Sequence, residues 1–237
     1  MEIRRLMILA GGFGTRLSSI IKDVPKPLAP INGKPFLYYI LEKWVENGIK
    51  EIIFLLHHRA EQIITFVNSE KEFGVLANCD IQFVFENKPL GTGGSIANAV
   101  LKLNLTGSFL VTNADTWLSS GYEEIIDSPT NSIGITKVNN AARFGTVKVL
   151  NNRIISLEEK TDIAQPGWIN AGIYHLDSEI FFGHVGNFSL EREIFPQLIA
   201  EDKITAIPVD TEFIDIGIPD DYRRFCDWIE AGRSFKL

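Results

Sequence analysis

Cysteine is nearly absent from this chain: Cys79 and Cys226 are the only two in 237 residues. They are far apart and form no C-x-x-C, which excludes a disulfide framework. Two idle thiols suit a reducing compartment. Histidine is scarce too. His57 and His58 are adjacent, His175 and His184 are isolated, and none has metal-ligand spacing with another His or Cys, so a zinc site is not expected. No apolar run approaches the ~18 residues of a membrane span. Basic charge is short, with 23 Lys and Arg against 30 Asp and Glu and a net charge of −7. That balance lacks the broad basic footprint of a nucleic-acid binder, so the expected partner is a small molecule. Met1–Arg5 leads directly into an apolar strand with no small-residue cleavage site of the signal-peptide kind. A cytoplasmic protein with no membrane partner is the expectation. Repeats, low-complexity runs and linkers are also lacking, which predicts one domain over residues 1–237.

What is present begins at Leu6–Ala10. This apolar run ends in Gly11-Gly12-Phe13-Gly14-Thr15-Arg16-Leu17, and Lys26-Pro27 follows. A strand emptying into a glycine turn lets a ligand approach the backbone, and the exposed N–H groups of such a turn hold anions. Arg16, Lys22, Lys26 and Lys34 stand here against one acid, Asp23, inside an acidic chain. Two named phosphate motifs fail. A dinucleotide G-x-G-x-x-G starting at Gly12 would need glycine at Leu17, and a Walker A ending in Gly33-Lys34 would need glycine at Leu28 and Ser or Thr at Pro35. The turn is either structural or a phosphate loop of another kind.

Strand-like and helix-like segments alternate, which predicts an α/β fold, a mixed and mainly parallel Rossmann-like sheet flanked by helices. Strands are expected at Leu6–Ala10, Glu51–Leu56, Ile81–Phe85, Ser108–Asn113, Ser132–Val138, Gly145–Leu150, Arg153–Leu157, Trp168–Leu176, Ile204–Pro208 and Phe213–Ile216, with Asn151-Asn152 as a hairpin turn. Helices are expected at Pro35–Asn47, Ala60–Asn68, Ser95–Leu101 with Ser95 as cap, Tyr122–Asp127, Leu190–Ala200 kinked or interrupted at Pro196, and Asp220–Ala231. Three strand ends carry polar or glycine chemistry: Gly11–Arg16, Gly91–Gly94 and Asn113–Asp115. Open α/β sheets bind ligands at such ends.

Asp115 directly follows an apolar strand and is placed to hold a hard cation, or else to form a turn or cap. Asp215 lies amid Phe213, Ile214 and Ile216, where a carboxylate needs a cation or several donors. The run Glu158-Glu159-Lys160 reads by composition as a solvated face. Asn170 is a polar residue mid-strand, where asparagine is disfavoured. Glu191 suits the first turn of a helix. Each is ambiguous alone.

In this order, from about Leu6 to Tyr222, these residues resemble the sugar-1-phosphate nucleotidylyltransferases. The resemblance implies that Ala10, Gly11, Gly12, Gly14 and Thr15 wrap a nucleoside triphosphate. It places Arg16 on the phosphates and Lys26 near the α-phosphate. Gly91 and Gly94 would help hold base and ribose, with Glu86 as an acceptor for the base edge. Asp115 and Asp215 match the two Mg2+-binding aspartates. Glu159 and Lys160 match the pair that meets the sugar phosphate, and Asn170 and Glu191 match positions that hydrogen-bond the sugar.

Within the family, Ile21–Ile31 and Pro89-Leu90-Gly91-Thr92-Gly93-Gly94 are most similar to the branch that transfers guanylyl to a heptose 1-phosphate. The chain departs from many relatives at Ala114, where they carry glycine before the metal aspartate, and at Thr161, where they carry proline. The alternatives are a thymidylyl-, uridylyl- or cytidylyltransferase acting on a hexose 1-phosphate, or an idle nucleotide-sugar-binding homologue. A glycosyltransferase would want D-x-D, which Asn113-Ala114-Asp115 only half supplies. Trp228 and Phe235 either finish the core or pack a homodimer.

Overall fold

The first strand is apolar throughout its middle because both its faces are covered. Leu6 and Ile8 enter one buried cluster and Met7 the other. The computed structural model describes residues 4–14, 17, 20, 21, 23–151, 153–158 and 164–232. In chain order it contains β1 (Arg5–Leu9), β2 (Pro30–Ile31), β3 (Lys34–Pro35), α1 (Phe36–Glu46), β4 (Glu51–Leu56), α2 (Ala60–Phe73) and β5 (Asp80–Phe85). Next come α3 (Gly91–Lys102), β6 (Ser108–Asn113), β7 (Thr116–Leu118), α4 (Tyr122–Ile126), β8 (Ser132–Val138), β9 (Thr146–Leu150) and β10 (Arg153–Glu158). The remainder is β11 (Gly167–Asp177), α5 (Phe195–Ala200), β12 (Thr205–Pro208), β13 (Phe213–Asp215) and α6 (Pro219–Glu230).

One sheet runs in the order β5-β4-β1-β6-β11-β8-β12-β10-β9. Its first four strands are parallel, and β11 turns antiparallel against both β6 and β8. Antiparallel ladders prevail beyond that point, with β12 alongside β8 the parallel exception. On one face Phe36, Trp44, Ile63 and Phe225 bring α1, α2 and α6 onto the sheet. On the other, Ile96 and Phe195 bring α3 and α5. Trp228 joins the first cluster and stacks edge-on against Trp117, 5.2 Å between ring centres, so it finishes the core. Phe235 lies outside the described residues. Among those residues, no helix is long and apolar enough to cross a membrane.

Most expected elements are present, with informative differences. The Asn151 turn joins β9 to β10 with φ of 51°, and Leu150 pairs with Arg153. Helix α2 runs on to Phe73 because Ser-Glu-Lys-Glu contains good helix formers, and it stops at Gly74. Helix α3 starts four residues before Ser95, which therefore lies inside the helix and does not cap it. Glycines disfavour a helix start, but Phe188 O accepts the N–H groups of Gly93 and Gly94, both at 3.1 Å, and ties down that turn. The Leu190 segment opens as a π-helix, Leu190–Ile194, capped by Ser189, and α5 follows with Pro196 in its first turn. Proline lacks the N–H an interior position would need but is tolerated there.

Candidate active site

Strand β1 lies between β4 and β6, so its end emerges beside theirs: Leu9 is level with both Leu55 and Asn113. Ala10 N donates to Leu55 O at 3.0 Å and Ala114 N to Leu9 O at 3.1 Å. The glycine turn and the Asn113–Asp115 end thus leave the sheet together. Between them lies a cleft of about 180 Å3 lined by Ala10, Gly12, Gly14, Lys26, Ala114 and Asp115. Lys26 enters on a single 3-10 turn, Lys26–Leu28, anchored by buried Pro27. Gly14 has φ of +62°, and a Cβ there would stand 2.9 Å from Lys26 Cβ. Glycine is what allows the turn and the lysine to sit this close.

Asp115 and Asp215 meet through a ribbon outside the main sheet. Strand β7 pairs antiparallel with β13, setting Asp215 opposite Thr116, and Ile216 N donates to Asp115 O at 3.1 Å. Lys26 Nζ stands between the two side chains, 2.6 Å from Asp115 Oδ2 and 3.1 Å from Asp215 Oδ1. Burial alone would lower the lysine's pKa. The two carboxylates outweigh it and hold the ammonium above the ordinary lysine value. Gly217 N donates to Asp215 Oδ1 at 2.7 Å and fixes that side chain further.

The aspartate side chains remain 38% and 26% exposed, so their oxygens reach the cleft. Such hard oxygen donors fit a divalent ion like Mg2+, which retains waters and shares substrate oxygens. Among the described residues, no cluster of three or more His, Cys, Asp or Glu side chains supplies a larger cage.

Glu86 reaches the same region: a Cβ on Gly11 would lie 3.6 Å from its Oε1. Its carboxylate accepts Leu90 N–H at 3.0 Å and the Ser95 hydroxyl, so the start of α3 holds it in place. Gly91 is exposed at that start. Gly94 is buried, and a Cβ there would fall 2.1 Å from Gly186 O. We expect Gly94→Ala to destabilise the protein by about 1–3 kcal/mol in urea unfolding, although alanine gains roughly 0.8–1 kcal/mol over glycine in an open helix. A stabilised variant would contradict this packing.

Asn170 and Glu191 are each held by partners of their own. Asn170 Nδ2 donates to Tyr174 Oη at 2.9 Å. Glu191 Oε2 accepts from Thr92 Oγ1 at 2.8 Å and Ser189 Oγ at 2.7 Å. Thr15, Arg16, Glu159 and Lys160 lie outside the described residues. Sequence reasoning missed strand β7, Thr92, Ser189 and Tyr174. Tyr174 shares strand parity with Asn170, a signal that could have paired them. Ser189 stands two residues before Glu191 as a helix cap, which was also legible.

The sequence profile of the nucleotidyl transferase family matches residues 5–230. The chain is 38% identical to the D-glycero-alpha-D-manno-heptose 1-phosphate guanylyltransferase of Campylobacter jejuni, over 92% of this chain and 97% of that one. It is 34% identical to the enzyme of the same name from Aneurinibacillus thermoaerophilus, over 92% and 95%. Among solved structures, HddC from Yersinia pseudotuberculosis complexed with GMP-PN superposes with a TM-score of 0.81 at 34% identity, covering 95% of this chain and 99% of that one.

Proposed function

The chain belongs to the nucleotidyl transferase family, and from that premise we propose that it transfers a guanylyl group from GTP to a sugar 1-phosphate. D-glycero-D-manno-heptose 1-phosphate is the proposed acceptor, and GDP-heptose, for bacterial surface polysaccharide, and pyrophosphate are the products. The observation that carries the reading is Lys26 held between Asp115 and Asp215 at the mouth of the glycine turn. The named relatives and the guanine nucleotide in the HddC structure support the choice of sugar and base.

A phosphate oxygen of the sugar phosphate attacks the α-phosphorus, and the bond from that phosphorus to the oxygen bridging the β-phosphate breaks. The nucleophile is already anionic, so no strong base is needed. The barrier is repulsion between two anions, and the chain lowers it by positioning and by neutralising charge. The turn at Ala10, Gly11, Gly12 and Gly14 receives the triphosphate, and Lys26 holds the α-phosphate. Asp115 and Asp215 would hold Mg2+, which supplies positive charge to the phosphates. Arg16 is assigned to the departing pyrophosphate, and Glu159 and Lys160 to the sugar phosphate. Asn170 and Glu191 read the sugar hydroxyls. Glu86 accepts from the guanine N1–H and N2–H2 edge.

The test is pyrophosphate release with each of the common NTPs, Mg2+ and a panel of heptose and hexose 1-phosphates. GTP with the heptose 1-phosphate is expected to be the fastest pair. Preference for dTTP, UTP or CTP with a hexose 1-phosphate would replace this assignment, and no release with any pair would favour an idle homologue.

A further inference from the structure

The end of β4 carries a histidine that the reading above does not use. Strand β4 stands between β1 and β5, and His57 is the residue that follows it. On the β5 side its contact is a hydrogen bond. His57 Nδ1 lies 3.0 Å from Glu86 O, and because a carbonyl only accepts, that nitrogen carries the proton. Glu86 N donates to Leu56 O at 2.9 Å, so both backbone polar groups of Glu86 are tied to the end of β4. On the β1 side the contact is a ring. Phe13, in the glycine turn and 54% exposed, meets the His57 ring edge-on at 5.7 Å between centres and the His58 ring at 5.1 Å. Gly11 lets the three parts close up: a Cβ there would stand 3.2 Å from His57 Cβ and 3.6 Å from Glu86 Oε1.

We propose that His57 is a positioning residue for the nucleotide: one imidazole sets the glycine turn, which receives the triphosphate, against Glu86, which reads the guanine edge. Its two contacts have separate effects. The ring holds Phe13 and with it the turn. The Nδ1–H holds the Glu86 backbone, while Leu90 N–H and the Ser95 hydroxyl aim the carboxylate. A ligand gripped at both ends binds best when the two grips already stand at the right separation, because preorganisation cuts the ordering cost of binding. With Nδ1 protonated, the imidazole makes both contacts in one tautomer.

This inference rests on the proposed function, which assigns the turn to the triphosphate and Glu86 to guanine. The test is equilibrium titration with Mg2+ and either GTP or ITP, with no sugar phosphate present. ITP lacks the 2-amino group, so it offers Glu86 one donor where GTP offers two. Wild type is expected to bind GTP roughly tenfold more tightly than ITP. His57→Phe keeps a ring against Phe13 and removes the Nδ1–H, and the GTP preference should shrink by about threefold or more. His57→Asn does the reverse. Its amide nitrogen is as many bonds from Cα as Nδ1 is, so a donor to Glu86 O remains while the ring is lost. Both nucleotides should then weaken by about threefold with the preference unchanged. Phe13→Leu, which breaks the same ring contact, should match it, and these two variants carry the test if His57→Phe does not fold. A wild-type preference in His57→Phe, a reduced one in His57→Asn, or full affinity in Phe13→Leu would overturn the positioning role. A wild-type protein that binds neither nucleotide, or both equally, would overturn the underlying reading instead.

Discussion

Replacing Lys26 by methionine is expected to cut the transfer rate by roughly 10²–10³, the usual cost of removing one preorganised electrostatic contact. The same variant should gain more thermal stability from Mg2+ than the wild type does. Both expectations follow from one contact. The ammonium lies 2.6 and 3.1 Å from two carboxylates and is itself only 11% exposed. Methionine fills the space of the stem but leaves Asp115 and Asp215 facing each other without the cation between them. The stability cost is below the roughly 3–5 kcal/mol of breaking a fully buried pair, because both carboxylates still reach water. A divalent ion on the two carboxylates offsets that repulsion, and tighter binding to the folded state appears directly as a larger rise in Tm. The folded-state pKa of Lys26 is raised, so its contribution is complete below the unfolded value of 10.5 and is lost as pH climbs through the folded value. The stability gap between wild type and variant should therefore be flat across neutral pH. Normal turnover at saturating Mg2+ would sink the catalytic role, and an unchanged Mg2+ response would remove the link to the aspartates.

Asp115→Asn should lose a similar roughly 10²–10³ in rate, with an origin that single-turnover kinetics can identify. The amide oxygen preserves shape and can still accept from Lys26, so the fold and the 3-10 turn should survive. What disappears is one of the two negative charges. Rate as a function of Mg2+ concentration should shift to higher concentrations, and the plateau should remain low even at saturation. Asp215→Asn is expected to behave alike. Because the two act on one centre, the double variant should cost less than the product of the single losses. Full recovery of rate at high Mg2+ would mean that Asp115 contributes affinity alone.

The cleft at the glycine turn was legible because its signals are local. An apolar strand, a glycine turn and a Lys-Pro a few residues later occupy one stretch of chain, and the structure places them around one cleft. The helical and strand periods likewise located most elements. What could not be read was pairing at a distance. Nothing in Thr116-Trp117-Leu118 announces a strand of its own, yet its ladder with β13 is what joins the carboxylates. The start of α3 was misplaced because glycine propensity was overridden by Phe188 O, a partner remote in sequence. Tyr174 was overlooked because an aromatic in an apolar strand is ordinarily core, and here it is core and also accepts a hydrogen bond from Asn170.

The ribbon of β7 and β13 also has a consequence for synthesis. Translation proceeds from the N-terminus, so a nascent chain that has emerged only through β11 possesses the glycine turn, Lys26 and Asp115 but not Asp215. At that stage Trp117 also lacks Phe225, the ring from α6 that packs against it at 5.2 Å. The cluster of Lys26, Asp115 and Asp215 is thus completed late, by the same segments that close one face of the core.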